Sequence, residues 1–129
     1  MNGRYLVDTN IVIALFAAEA TMTERLGETE EVFVPSIVLG ELYYGARKSN
    51  RVRVNVARID DFTVRNIALS CDTDTARRYG EVKNELRRKG RPIPENDIWI
   101  AALALQYDLI LVTRDAHFEQ VNGLRIEAW

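Results

Sequence analysis

The chain has 129 residues, 47% hydrophobic and 28% charged, with a formal net charge of −2. That is enough chain for one domain with a sizeable core, and the composition is that of an ordinary globular protein. Cys71 is the only cysteine and His117 the only histidine, which excludes an internal disulfide and any zinc site built from several of these residues. No apolar run approaches the roughly 18 residues of a membrane span, and no signal-peptide pattern opens the chain, so a cytoplasmic protein is expected. Whatever chemistry runs here must run largely on carboxylates.

Taken in order, the elements alternate. Residues 4–7 (RYLV) form a short apolar run of the kind a buried parallel strand uses. Asp8 closes it, and Ile11, Val12, Ile13, Leu15 and Phe16 resume an apolar pattern, predicting a helix over 9–17. An acid between two core-bound segments needs a reason. Helix capping is the common one, because Asp8, Thr9 and Asn10 all make good caps. The stretch 19–31 is read only for its charge, five glutamates against Arg25.

A second strand is predicted at 31–34 (EVFV), followed by a helix over 36–48 in which Ser36 is the expected cap. Glu41 lies little more than a turn into that helix, among Ile37, Val38, Tyr44 and Gly45, a mostly apolar face where a lone carboxylate is costly. A helix over 51–63, a strand at 66–69 and a charged helix over 73–89 follow, the last starting at Asp72 or Thr73 and stopping at Gly90. Helix 97–107 is apolar nearly all round and should be central; Asp97 stands at its start. Strands at 109–112 and 124–127 complete the series, with Thr113 and Asp115 just past the first of them.

Strands alternating with helices predict an α/β domain spanning 1–129. It should be a three-layer sandwich with a central, mainly parallel five-stranded sheet. In such folds sites lie at the carboxyl ends of the strands. Asp8, Glu41, Asp97 and Asp115 all fall at strand ends or helix starts on that edge. Each has an ordinary role when taken alone, as cap, turn residue or surface acid. Together they would repel one another, and a hard divalent cation, Mg²⁺ or Mn²⁺, relieves such repulsion with oxygen ligands alone. Phosphate enters an acidic pocket only with a cation between the anions, so metal-assisted phosphodiester hydrolysis is the expected chemistry.

The motifs LVDTNIVIAL (6–15), PSIVLGELYYGA (35–46), NDIWIAALAL (96–105) and LVTRDAHFEQVNGLRI (111–126) are family-like in order and spacing. With the helix RRYGEVKNELRRKG (77–90), they span the chain nearly end to end. On them the sequence resembles the PIN-domain ribonucleases, most closely the VapC-like toxins of bacterial and archaeal toxin–antitoxin modules. The resemblance implies an acidic metal site of Asp8, Glu41, Asp97 and Asp115, with Asn10 and Thr113 orienting ligands or the attacking water. Asp8, Asp97 and Asp115 are the expected metal ligands, direct or through water, and Glu41 the holder of a water or the base. The resemblance also implies an RNA substrate, a cognate antitoxin and a homodimer. Segment 47–70 matches no signature.

Basic runs at 47–65 and 77–91 leave nucleic acid open as a partner, although such runs are usually solvated helix faces. His117 and Phe118 are read as a short helical turn at the site edge, with no catalytic part for His117. Tyr43, Tyr44 and Tyr79 are read as packing residues, and Cys71 as a small packing residue. Two rivals come from other classes. A receiver domain needs a second acid beside Asp8 and a late lysine, but Val7 and Thr9 flank Asp8 and no lysine follows Lys89. A non-catalytic RNA-binding domain that kept the fold is the second; the intact acids argue against it, and a cleavage assay with and without Mg²⁺ separates the two. Within the nucleases, a PIN-fold RNA-processing enzyme without a toxin role is the alternative to a toxin.

Overall fold

The computed structural model describes residues 3–27 and 31–129. Part of the acidic stretch 19–31 therefore lies outside the described residues. Strand β1 (Arg4–Val7) leads into helices α1 (Thr9–Phe16) and α2 (Ala20–Gly27). Strand β2 (Glu31–Pro35), helices α3 (Ser36–Lys48) and α4 (Val52–Arg65), and strand β3 (Ile67–Leu69) follow. Helices α5 (Thr73–Lys89) and α6 (Glu95–Gln106) then lead to β4 (Ile110–Val112), a 3-10 turn (Ala116–Gln120) and β5 (Ile126–Glu127).

All pairings in the five-stranded sheet are parallel, in the order β3-β2-β1-β4-β5. Strand β1 is central, with Leu6 opposite Phe33 on one side and Leu111 on the other. Tyr5, Leu6, Val7, Val34, Leu111 and Val112 are buried, as a sheet covered on both faces requires. The chain steps from β1 to β2 to β3 in one direction, then crosses to β4 and β5 in the other. With right-handed crossovers, this places α1–α4 on one face and α5–α6 on the opposite one. The strand order reverses between β1 and β4, and a crevice opens at such a point, beyond the carboxyl ends.

Several local expectations are met. Asp72 caps α5 reciprocally with Thr75, whose backbone N–H donates to the Asp72 carboxylate at 3.0 Å. Gly90 ends that helix in the left-handed conformation, φ 67°. Helix α6 buries Ile98, Ile100, Ala101, Ala102, Leu103 and Ala104. Cys71 is half-buried, and burial pushes its thiol up.

Others are corrected. Pro35, not Ser36, occupies the cap position of α3 and makes no side-chain cap bond; its extended backbone (ψ 140°) turns the chain, and Ser36 is already helical. Helix α6 starts two residues early, at Glu95, because the Pro94 carbonyl accepts the Asp97 N–H at 3.0 Å and closes a first turn. Helix α2 was not expected; it buries only Met22, so its pattern is weak. Strand β5 pairs over two residues rather than four. Tyr44 is no packing residue: it is 65% exposed, with the Lys48 ammonium 4.5 Å from its ring centroid.

Candidate active site

Asp8 is a helix cap and also a buried hydrogen-bond acceptor. Its carboxylate accepts from the Thr9 N–H at 2.8 Å, capping α1. Its other oxygen accepts from the Thr113 hydroxyl at 2.7 Å and from the Asn10 amide at 3.3 Å. Those bonds tie the end of β1 to the end of β4 across the switch point. Asp8 is 3% exposed and Thr113 2%. Burial pushes the Asp8 carboxyl up, the Thr113 and Thr9 bonds pull it back, and the charge of Asp115 raises it again.

Asn10 is the hinge of the arrangement. The backbone N–H of Arg114 donates to its Oδ1 at 3.2 Å, which fixes which way the amide faces. Its Nδ2 therefore points at carboxylates, donating to Asp115 at 3.1 Å as well as to Asp8. Arg114 is itself held, its guanidinium pairing with Glu19 at 2.9 Å and donating to the Trp129 carbonyl at 3.1 Å. Thr113 accepts from the Asp115 N–H at 3.1 Å, so the loop after β4 is pinned at three points.

Glu41 comes from α3 and Asp97 from α6, one from each face of the sheet. The Thr9 hydroxyl donates to Glu41 at 3.1 Å. The His117 ring nitrogen Nε2 lies 2.7 Å from an Asp97 oxygen. Burial raises the Asp97 carboxyl first, then the charge of Asp8; His117 opposes both. Glu41 is raised by desolvation, lowered by its Thr9 bond and raised again by the charges of Asp8 and Asp97. The acids feel one another's charge, as expected of carboxylates gathered in one place.

All four acids line one open cleft of about 640 Å³, with Thr9, Asn10, Ile13, Pro94, Glu95, Asn96 and His117. The structure thus brings together every residue singled out in the sequence, Thr113 lying beneath Asp8. Sequence reasoning missed the part of Thr9, which reaches Glu41, and of His117, which reaches Asp97. The signal for His117 was the chain's sole histidine two residues beyond Asp115.

The donor set suits a hard cation: carboxylate oxygens and hydroxyls, with one imidazole. Among the described residues no three acidic, cysteine or histidine side chains close around a single point. Asp8 already spends three of about four lone-pair positions on protein donors. An ion here would complete its shell with water, which suits Mg²⁺ and the similar Mn²⁺.

The PIN-domain family model matches residues 5–124, and the chain belongs to that family. Its relatives within the family include VapC ribonucleases. Ribonuclease VapC2 of Haemophilus influenzae is 40% identical, the match covering 98% of each chain. The tRNA(fMet)-specific endonuclease VapC of Shigella flexneri is 37% identical over the same shares. Among solved structures, DNA-bound VapBC from Salmonella typhimurium aligns with a TM-score of 0.92 at 35% identity, covering 98% of each chain. VapBC2 from Rickettsia felis, bound to a DNA fragment from their promoter, aligns at 0.90 with 31% identity, over 97% of this chain and 98% of that one.

Proposed function

We propose that this chain is a metal-dependent ribonuclease that cleaves RNA by phosphodiester hydrolysis, the toxin of a toxin–antitoxin pair acting in the cytoplasm. The observation that carries the reading is the cleft itself, lined by four carboxylates where the strand order reverses. Kinship with VapC ribonucleases supports the substrate class. A bound Mg²⁺ or Mn²⁺ would neutralise phosphate charge and make a bound water a stronger nucleophile. Asp8, Asp97 and Asp115 would hold it, directly or through water. Glu41, whose carboxyl is pushed up by burial, would orient a water or take its proton. Asn10 and Thr113 keep Asp8 and Asp115 from splaying apart.

Purified protein should cleave single-stranded or loop RNA with Mg²⁺ or Mn²⁺ and stop when EDTA is added. Persistent cleavage in EDTA would refute the metal mechanism.

A cognate antitoxin is the second part of the reading, supported by the VapBC structures among its neighbours. Beside Glu41 an apolar groove of about 270 Å³ runs between α1, α3 and α4, bounded by Ile13, Phe16, Leu42 and Ile59. An antitoxin tail laid there reaches the acids, and an arginine on it meets their charge. Induction of the chain alone should arrest growth, and co-expression of the neighbouring antitoxin gene should relieve the arrest. A harmless chain with no such partner gene removes the toxin role and leaves the nuclease. The homodimer belongs to the same proposal; one sedimentation run on the purified protein tests it.

A further inference from the structure

Resting on the metal-dependent reading above, one regularity of the cleft goes further. Each of the four acids has an oxygen within hydrogen-bond distance of a threonine, asparagine or histidine side chain. The Thr113 hydroxyl and the Asn10 amide take one oxygen of Asp8, and the same amide takes one of Asp115. The Thr9 hydroxyl takes Oε1 of Glu41, and His117 Nε2 takes Oδ2 of Asp97. The second oxygens of Glu41, Asp97 and Asp115 have no hydrogen-bond partner among the described residues.

We infer that Thr9 and His117 are positioning residues, each fixing the rotation of one carboxylate so that a single oxygen is left for the cation's shell. The geometry favours this over packing. Thr9 begins α1 and Glu41 lies on α3, 32 residues on, so the bond crosses between elements. His117 sits on the 3-10 turn after Asp115 and reaches across to α6. Both side chains line the cleft rather than the core. An untied carboxylate rotates freely and must be ordered when the ion binds, an entropy cost that the tie removes beforehand. Partners of this kind, which hydrogen-bond a ligating group, typically contribute about 10–100-fold to metal affinity or activity.

The test needs four variants of the full chain. His117→Ala removes the tie, and His117→Gln restores an N–H near the Nε2 position. Thr9→Val removes the hydroxyl at equal volume, and Thr9→Ser returns it. Melting temperature is first measured in EDTA to establish that each variant folds, then during titration with MgCl₂ to read an apparent affinity; kcat and KM for RNA are measured alongside. His117→Ala and Thr9→Val should need about 10–100-fold more Mg²⁺ for the same stabilisation and lose kcat with little change in KM. His117→Gln and Thr9→Ser should recover most of both. The inference fails if His117→Ala and Thr9→Val titrate like wild type, or if Gln and Ser rescue nothing. If Mg²⁺ neither stabilises the wild type nor supports its cleavage, the metal-dependent reading falls, and this inference with it.

Discussion

Asp8→Ala should lose RNA cleavage about a thousandfold and also destabilise the fold. The activity loss would follow from losing the charge stabilisation a bound metal would supply, several kcal/mol, about 4 of which correspond to a factor of about 1,000. The stability loss has separate causes. The Thr9 N–H loses its cap, worth roughly 1 kcal/mol, and the buried Thr113 hydroxyl loses its acceptor, worth about 1–3 kcal/mol. Relief of repulsion with Asp115 offsets part of this, leaving a net loss of about 1–3 kcal/mol by the same principles. Chemical denaturation in EDTA and cleavage in Mg²⁺ measure the two effects independently. A destabilised variant that still cleaves RNA would reduce Asp8 to a cap.

Asp97→Asn should behave oppositely in stability while losing cleavage just as fully. Its carboxylate has one side-chain partner, His117, which an asparagine oxygen can keep. Removing the charge therefore relieves the repulsion from Asp8 and Asp115 at little cost, on the order of 1 kcal/mol in partly wet surroundings. In EDTA the variant melts higher than wild type, and Mg²⁺ raises its melting temperature less. The pH dependence carries a definite sign. Asp8, Glu41 and Asp97 are all raised in the folded state, so that state binds more protons than the unfolded chain. Their contribution to stability is full below the ordinary carboxylate range near about pH 4 and is lost as pH rises through the raised values. The advantage of Asp97→Asn over wild type is thus greatest near neutrality and shrinks as pH falls towards about 4. An advantage that grows on acidification would contradict it.

Asp8→Asn is not the equivalent experiment. Both Asp8 oxygens accept from donors, so either orientation of an asparagine turns its NH₂ against the Thr9 N–H or the Asn10 amide. No comparable stabilisation is expected there.

What could be read from the residues, and what could not, divides along physical lines. Buried parallel strands declare themselves as short apolar runs, which is why RYLV and the helix after Pro35 fall where the pattern puts them. Helix α5 was legible at both ends because Asp72 and Gly90 act through local backbone chemistry. Helix α2 was not, since in ATMTERLG only Met22 is buried, too few core-facing residues to mark a helix in the pattern. The four acids were legible because capping and turn chemistry, which suffice for one carboxylate, do not gather four at the same sheet edge. The ties from Thr9 and His117 were not, because they join residues 32 and 20 positions apart, a matter of how the helices and turns pack rather than of local pattern.

The central place of β1 has a consequence for how the cleft comes into being. Its partner β4 is the fourth strand, and the Thr113 hydroxyl that meets Asp8 lies 105 residues further along the chain. Contacts so distant in sequence cost loop-closure entropy before they return any stability, which makes parallel sheets slow to form. While the chain is being synthesised, β1 and β2 can meet early, but the cleft cannot close until residues 110–115 are available. Asp8 and Glu41 are made in the first third and wait, inert, for the last. A product broken off just before β4 carries Asp8, Glu41 and Asp97 but lacks the strand that aligns them, so the cleft is assembled only once β4 and Asp115 have been made.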